Sequence, residues 1–241
     1  EAAEDLLVKG KSKKESMAIW EALVEKIDAQ HDFGAARVEE LLNAFLADAQ
    51  LVPPGSEKLF TEQVVRLPRI PLAYVPPDGM PEVAPLPALQ KSKAAAVKAG
   101  GKGKSSGKTQ EKASVTFGYF GRPERINEHV VEAWSKILKG TPDSRLMLNS
   151  KAFAEAAYCA LFAERFAGHV IGAARLAMVY TSPQPETWAA YGQVDIALDP
   201  FPHNAGTTTI EALWLGVPVV SIADRPSVGR MGASILGAVG L

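Results

Sequence analysis

The stretch that decides the fold is DIALDPFPHNAGTTTIEALWLGVP, residues 195–218. Residues 195–199 form a short apolar run between two aspartates, the pattern of a buried strand. A loop rich in Pro, Asn and Gly follows; Thr207, Thr208 and Thr209 open a helix, Gly216 stops it, and Pro218 starts the next strand. At the helix start, unpaired backbone N–H groups, the positive end of the helix dipole and threonine hydroxyls converge on one point. That point suits a phosphate, so Gly206, Thr207, Thr208 and Thr209 are candidate ligands.

Glu211 lies four residues after Thr207 and three after Thr208, on the same helix face one turn deeper. A carboxylate there can accept both hydroxyls of a ribose whose diphosphate sits at the helix tip. The same spacing also makes Thr208-x-x-Glu211 a capping box, in which Glu211 closes the helix start. Spacing alone leaves both readings open.

Outward from this motif, residues 114–241 alternate strictly between strand and helix. Strands are expected at 115–120, 145–148, 176–180, 194–199 and 218–222, and helices at 127–139, 152–167, 185–191, 208–215 and 228–238. Short apolar strands separated by helices imply an α/β fold with a doubly wound parallel sheet covered on both faces. Such sheets bind ligands outside the carboxyl ends of their strands.

Two further segments fall on that edge, and a third opens a later helix. In FGYFGRPERI (117–126), a strand runs into a Gly-Arg-Pro turn, so Arg122 and Arg125 project near the strand end. They can neutralise a diphosphate, or be a solvated surface pair. The run Tyr180-Thr181-Ser182-Pro183-Gln184 leaves a strand where backbone groups around Ser182 could read the edge of a base. In RPSVGRMGAS (225–234), Gly229 and Gly232 permit close backbone approach to a ligand or simply close packing.

The amino-terminal part reads differently. Residues 14–30 and 34–49 carry apolar residues at helical spacing and are expected to pair as a hairpin within a helical segment, 1–50. Residues 51–90 hold nine prolines and read as an ordered, irregular connection with short extended pieces at 63–67 and 72–75. Residues 91–113 hold seven lysines against one acid, the composition of a flexible insertion. Its lysines read as a solvated run rather than a grip on nucleic acid. Gly103-Lys104-Ser105 is no phosphate-binding P-loop, because Lys98 stands where the leading glycine is required and no strand precedes it.

Composition sets the outer limits. With 241 residues, 47% of them hydrophobic, the chain can bury a sizeable core. A formal net charge of −1 supplies no global electrostatic reason to expect nucleic acid or a membrane surface as partner. The single cysteine, Cys159, excludes an internal disulfide, favours a reducing compartment and reads as a small buried apolar residue. No apolar run reaches the roughly 18–20 residues needed to span a bilayer. The opening EAAEDLLVKGKSKK is not a signal peptide, so the expected location is the cytoplasm, or nucleus and cytoplasm. The whole reads as a piece of a longer product.

At FGYFGRPERI, TPDSRLMLNSKAF, VDIALDPFPHNAGTTTIEALWLGVPVVSI and RMGASILGAVGL the chain resembles the carboxy-terminal catalytic lobe of the O-GlcNAc transferase and SPINDLY family, in order and with similar spacing. VPPGSEKLFTEQVVRLPRIPLAYVPP resembles the segment preceding that lobe, so the likeness covers roughly residues 50–241. The resemblance implies a GT-B architecture, with 51–90 closing the amino-terminal lobe and 114–241 forming the nucleotide-sugar lobe. It also implies inverting transfer of N-acetylglucosamine from UDP-N-acetylglucosamine to protein Ser/Thr hydroxyls, with no metal or other cofactor. Thr207 and Thr208 would hold the diphosphate, Glu211 the ribose, and Arg125 would stabilise the leaving UDP.

There are departures from the pattern. Arg125 stands where family members usually carry a lysine, Thr187 where some place a histidine beside the base, and His203 where a tyrosine is frequent; His203 reads as a loop residue rather than a base. The amino-terminal lobe's active-site histidine is not recognisable in residues 1–50, and His31 is not its substitute. Two other functions stay open. One is a SPINDLY-like protein fucosyltransferase using GDP-fucose, suggested by DPFPHNAGTTT; the other is a non-catalytic nucleotide-binding scaffold, suggested by Arg125 and the lysine-rich insertion.

Overall fold

The computed structural model describes residues 43–88, 90 and 114–241. Its centre is a five-stranded parallel sheet. In chain order the strands are β3 (Thr116–Phe120), β4 (Arg145–Asn149), β5 (Leu176–Val179), β6 (Ile196–Leu198) and β7 (Val219–Val220), after a separate pair β1 (Ala44–Ala47) and β2 (Gln63–Arg66). The spatial order is β5-β4-β3-β6-β7, with Phe117 opposite Leu146 on one side and Ile196 on the other. The chain therefore winds outward from β3 one way, returns, and winds the other way from β6. The β3–β6 boundary is the topological switch point, where the strand ends leave a crevice.

Side-chain alternation along the strands builds a core on each face. Phe117, Tyr119, Leu146, Leu148 and Leu198 pack against Val130, Trp134 and Leu138 of α1 (Glu128–Gly140) and Phe162 and Phe166 of α2 (Ala156–Ala167). Phe120, Met147 and Ala197 face the other way, onto Trp188 of α3 (Gln184–Ala190) and Ala212 of α4 (Thr207–Trp214). Each large side chain taken from water contributes about 1.5–3 kcal/mol, so the two cores carry the fold. Alternation puts Gly118 on the second face, where a Cβ would come within 2.6 Å of Val194. Asn127 caps α1 by accepting the Val130 N–H at 3.1 Å, and its amide donates to the Phe201 carbonyl at 2.7 Å.

The sheet's amino-terminal edge holds the proline-rich segment in place. The Asp195 carboxylate accepts the Thr116 N–H at 2.8 Å and the Ala88 N–H at 2.7 Å. The β1–β2 pair docks on α5 (Met231–Ala238): Ala47, Leu51 and Val52 enclose Met231, the Ser234 hydroxyl donates to the Asp48 carboxylate, and Arg230 donates to the Gln50 carbonyl at 2.6 Å.

All five strands expected in 114–241 are present; β4 runs one residue further, to Asn149, and the other four are shorter by up to two residues at an end. The helix expected at 152–167 begins at Ala156 after a 3-10 turn, and that at 228–238 begins at Met231 after another. The helix expected over 34–49 is corrected where it can be seen: Ala44–Ala47 is a strand, paired in parallel with Gln63–Arg66. Pairing and the Phe45–Phe60 ring contact, 4.8 Å between centroids, outweigh the local helical spacing. Residues 34–42 of that helix, the helix at 14–30 and the insertion at 91–113 lie outside the described residues. The extended piece expected at 63–67 is β2. Among the described residues, 72–75 pair with no strand, since they lie among prolines that lack N–H groups.

Candidate functional site

The loop between β6 and α4 is fixed from several sides. Asp199, at the end of β6, accepts the Ala205 N–H and the Ser221 hydroxyl, each at 2.7 Å. Asn204 donates to the Pro200 carbonyl at 2.9 Å and accepts the Gly232 N–H at 3.3 Å. Arg125 donates to the Asn204 carbonyl at 3.0 Å. Gly229 and Gly232 face this loop: a Cβ at Gly229 would lie 2.7 Å from the Pro202 carbonyl oxygen, and one at Gly232 2.6 Å from the Asp199 carboxylate. Both glycines thus serve close packing.

This bracing presents the start of α4 to the crevice. The N–H groups and hydroxyls of Thr207 and Thr208 have no acceptor among the described residues, and both side chains line a cleft of about 370 Å3. Arg122, Arg125, His203 and Gly206 line the same cleft. A second cleft, about 290 Å3, shares Gly121, Arg122 and Thr208 with the first and extends along α4 to Glu211, Tyr191, Thr187 and Ser182. Their volumes and continuity fit an elongated ligand that carries negative charge toward the arginine-lined cleft.

Seven of the eight residues singled out in the sequence therefore meet at this edge. Thr209 does not: it is buried, and its hydroxyl donates to the Ala205 carbonyl at 3.3 Å. Glu211 does not form a capping box. The helix starts at Thr207 with Gly206 as its cap, so Glu211 sits too deep to reach back to the helix start. Instead its carboxylate accepts the Trp188 indole N–H at 3.4 Å and faces the Tyr191 hydroxyl, which donates to the Thr208 carbonyl at 3.3 Å. Burial raises the Glu211 pKa, and the Trp188 hydrogen bond, followed by the neighbouring Tyr191 hydroxyl, opposes that rise.

Electrostatics divide the crevice. Burial, followed by the charges of Arg125 and Arg122, lowers the His203 pKa, so that end is positive and its imidazole is neutral at pH 7. Burial pushes Asp199 up to about 6, against the bonds from Ala205 and Ser221 and the charge of Arg125. At the other end Asn149 donates to the Thr181 hydroxyl at 2.7 Å, and Thr187 donates to the Thr181 carbonyl at 2.9 Å. This closed network shapes the wall beside Ser182.

Sequence reasoning missed Asn149, Tyr191 and Trp188. Asn149 carried a signal, because it ends a strand at the ligand-binding edge. Trp188 and Tyr191 carried none: they approach Glu211 from another helix, 23 and 20 residues away in sequence.

Comparison with known proteins agrees with this geometry. Residues 105–241 match the model for Glycosyl transferase family 41. The tomato (Solanum lycopersicum) protein named probable UDP-N-acetylglucosamine--peptide N-acetylglucosaminyltransferase SPINDLY is 31% identical over 207 residues, covering 81% of this chain and 19% of its own length. The protein of the same name from Arabidopsis thaliana is 31% identical over 201 residues, with the same coverage. A solved mutant of Thermobaculum terrenum O-GlcNAc transferase aligns with TM-score 0.69 and 31% identity over 82% of this chain and 33% of that one. The chain spans about a fifth of the length of the curated relatives it matches. Sheet order, switch-point cleft and these matches concur: the chain belongs to glycosyl transferase family 41.

Proposed function

We propose that this chain is the donor-binding lobe of an inverting glycosyltransferase that moves N-acetylglucosamine from UDP-N-acetylglucosamine to Ser/Thr hydroxyls of proteins. The observation that carries the reading is the run of Arg122, Arg125, Thr207, Thr208 and Glu211 along two communicating clefts at the switch point. The diphosphate takes the Thr207 and Thr208 N–H groups and hydroxyls at the α4 tip, with Arg122 and Arg125 opposite. Glu211, one turn deeper, accepts the ribose hydroxyls, and the base lies against the Ser182 wall. The names of the SPINDLY relatives, which specify UDP-N-acetylglucosamine and a peptide, support this donor and acceptor.

In the transfer, the acceptor oxygen forms a bond to the anomeric carbon as the bond from that carbon to the β-phosphate oxygen breaks. The electron pair leaves with UDP, and the proton of the acceptor hydroxyl is released to solvent. Arg125 and the helix tip hold positive charge where that negative charge grows, which lowers the barrier without a metal ion. Arg125 is already tied to the Asn204 carbonyl, so little reorganisation is needed at the moment of reaction. The same proposal includes a cytoplasmic location; among the described residues, no helix is long and apolar enough to cross a membrane.

Competition titration of the chain with UDP and GDP tests the donor, and sugar transfer to peptide by the complete gene product tests the activity. Selective UDP binding with transfer is expected. A preference for GDP would move the reading to fucose transfer, and UDP binding without transfer to a nucleotide-binding scaffold.

A further inference from the structure

β3 delivers Tyr119 into the core beneath the crevice, 4% exposed, with its ring 5.7 Å from that of Trp134. A buried tyrosine must bond its hydroxyl. Here the hydroxyl turns back along the chain and donates to the Arg122 carbonyl at 3.2 Å. The same carbonyl accepts the Arg125 N–H at 3.1 Å, the bond that closes the turn leading into the 3-10 segment Pro123–Arg125. One oxygen therefore gathers the phenol and the closing bond of the turn that carries both candidate cations.

Gly121 makes the arrangement possible. A Cβ there would lie 2.7 Å from the Tyr119 hydroxyl oxygen and 2.9 Å from the ring carbon bearing it. Its glycine is required for space rather than for a left-handed backbone. At the far end of the turn, the Arg125 guanidinium bonds to the Asn204 carbonyl in the loop before α4. The turn is thus held at both ends, and Gly121, Arg122 and Arg125 line the cleft above it. Burial pushes the phenol up to about 12, with the Arg125 charge opposing, so the hydroxyl remains a donor at neutral pH.

We propose that Tyr119 is a positioning residue of the donor site: its hydroxyl, in the space left by Gly121, holds the Arg122 carbonyl and so aims Arg122 and Arg125 at the cleft. The inference rests on the diphosphate reading for what the two guanidinium groups grip, and not for the geometry of the turn. Tyr119→Phe removes only the oxygen and keeps the ring in its core, whereas Gly121→Ala displaces the hydroxyl without deleting it.

The test combines UDP titration of the full chain with nitrogen NMR of the arginine side chains. Tyr119→Phe is expected to stay folded and to raise the UDP Kd about three- to tenfold, which is a change of one positioned contact. In an Arg122→Ala/Arg125→Ala background the same substitution should change Kd less than about twofold, because the groups it aims are gone. Gly121→Ala should weaken UDP in the same direction. Without any ligand, the Arg125 guanidinium signals should be resolved in the parent chain and averaged in Tyr119→Phe. Unchanged affinity with unchanged guanidinium signals overturns the proposal, as does an equal loss in the double-alanine background. A parent chain that fails to bind UDP sinks the diphosphate reading, while the ligand-free spectrum still decides the role of Tyr119.

Discussion

The Trp188 indole N–H reaches from α3 to the Glu211 carboxylate on α4, 3.4 Å away, and fixes a buried acid at the junction of helix and cleft. A carboxylate so held is oriented before a ligand arrives, and it retains lone pairs for a ribose diol. It lies one helical turn below the Thr207–Thr208 tip, the arrangement that the proposed ribose and diphosphate contacts require.

Glu211→Ala is expected to weaken UDP and UMP alike, by about tenfold or more, since a hydrogen bond to a charged group contributes about 1.5–3 kcal/mol. Glu211→Gln, which keeps an acceptor for one hydroxyl, should lose less. Calorimetric titration measures both. Equal affinity for parent and alanine variant would remove Glu211 from the site.

Arg125→Ala should discriminate between the same two ligands. Its guanidinium lines the cleft at the α4 tip and not the one that holds Glu211, so on the proposed reading UDP should lose about tenfold or more while UMP loses less, with the gap shrinking at high salt. A loss equal for both nucleotides would place Arg125 in loop bracing through Asn204 instead.

Asp199 gives a pH signature. Burial raises its folded pKa from 3.8 to about 6, so between those values the folded state keeps a proton that the unfolded state has released. Stability from this group therefore falls as pH rises from about 4 to 6 and is flat above. Asp199→Asn cannot ionise, and urea unfolding at pH 4.5 and pH 7 should show the parent losing on the order of 1–3 kcal/mol more than the variant across that interval. Parallel changes in the two proteins would show that the Asp199 carboxyl has no such shift.

Gly232→Ala places a Cβ 2.0 Å from the Ser221 hydroxyl and 2.6 Å from the Asp199 carboxylate. Overpacking of this kind costs about 1–3 kcal/mol, equivalent to roughly 2–12 °C in Tm for a domain of this size. Thermal unfolding should show that drop, with UDP affinity falling as the loop shifts. A variant as stable as its parent would mean that α5 moves away freely.

The alternation of strands and helices from β3 to α5 was legible in the sequence because each element announces itself locally. The strands are short apolar runs bounded by turn residues, and the helices carry apolar faces with Asn127 and Gly216 marking ends. The candidate site was legible for a related reason: in a parallel sheet every strand's carboxyl end lies on one edge, so Arg122, Ser182 and Thr207 could be placed together from topology alone. Rotation about each element was another matter. Thr207, Thr208 and Thr209 are equivalent by type, yet only packing turns Thr209 inward to the Ala205 carbonyl. Residues 44–47 have helical spacing, yet a partner strand beginning at Gln63 makes them extended. Local pattern was enough for the order of the elements and for the edge on which the candidate residues gather. The tertiary structure alone decided that Trp188 holds Glu211 and that Tyr119 fills the space at Gly121, because those contacts join side chains whose meeting depends on how the elements pack and how the strand end turns, which local pattern does not encode.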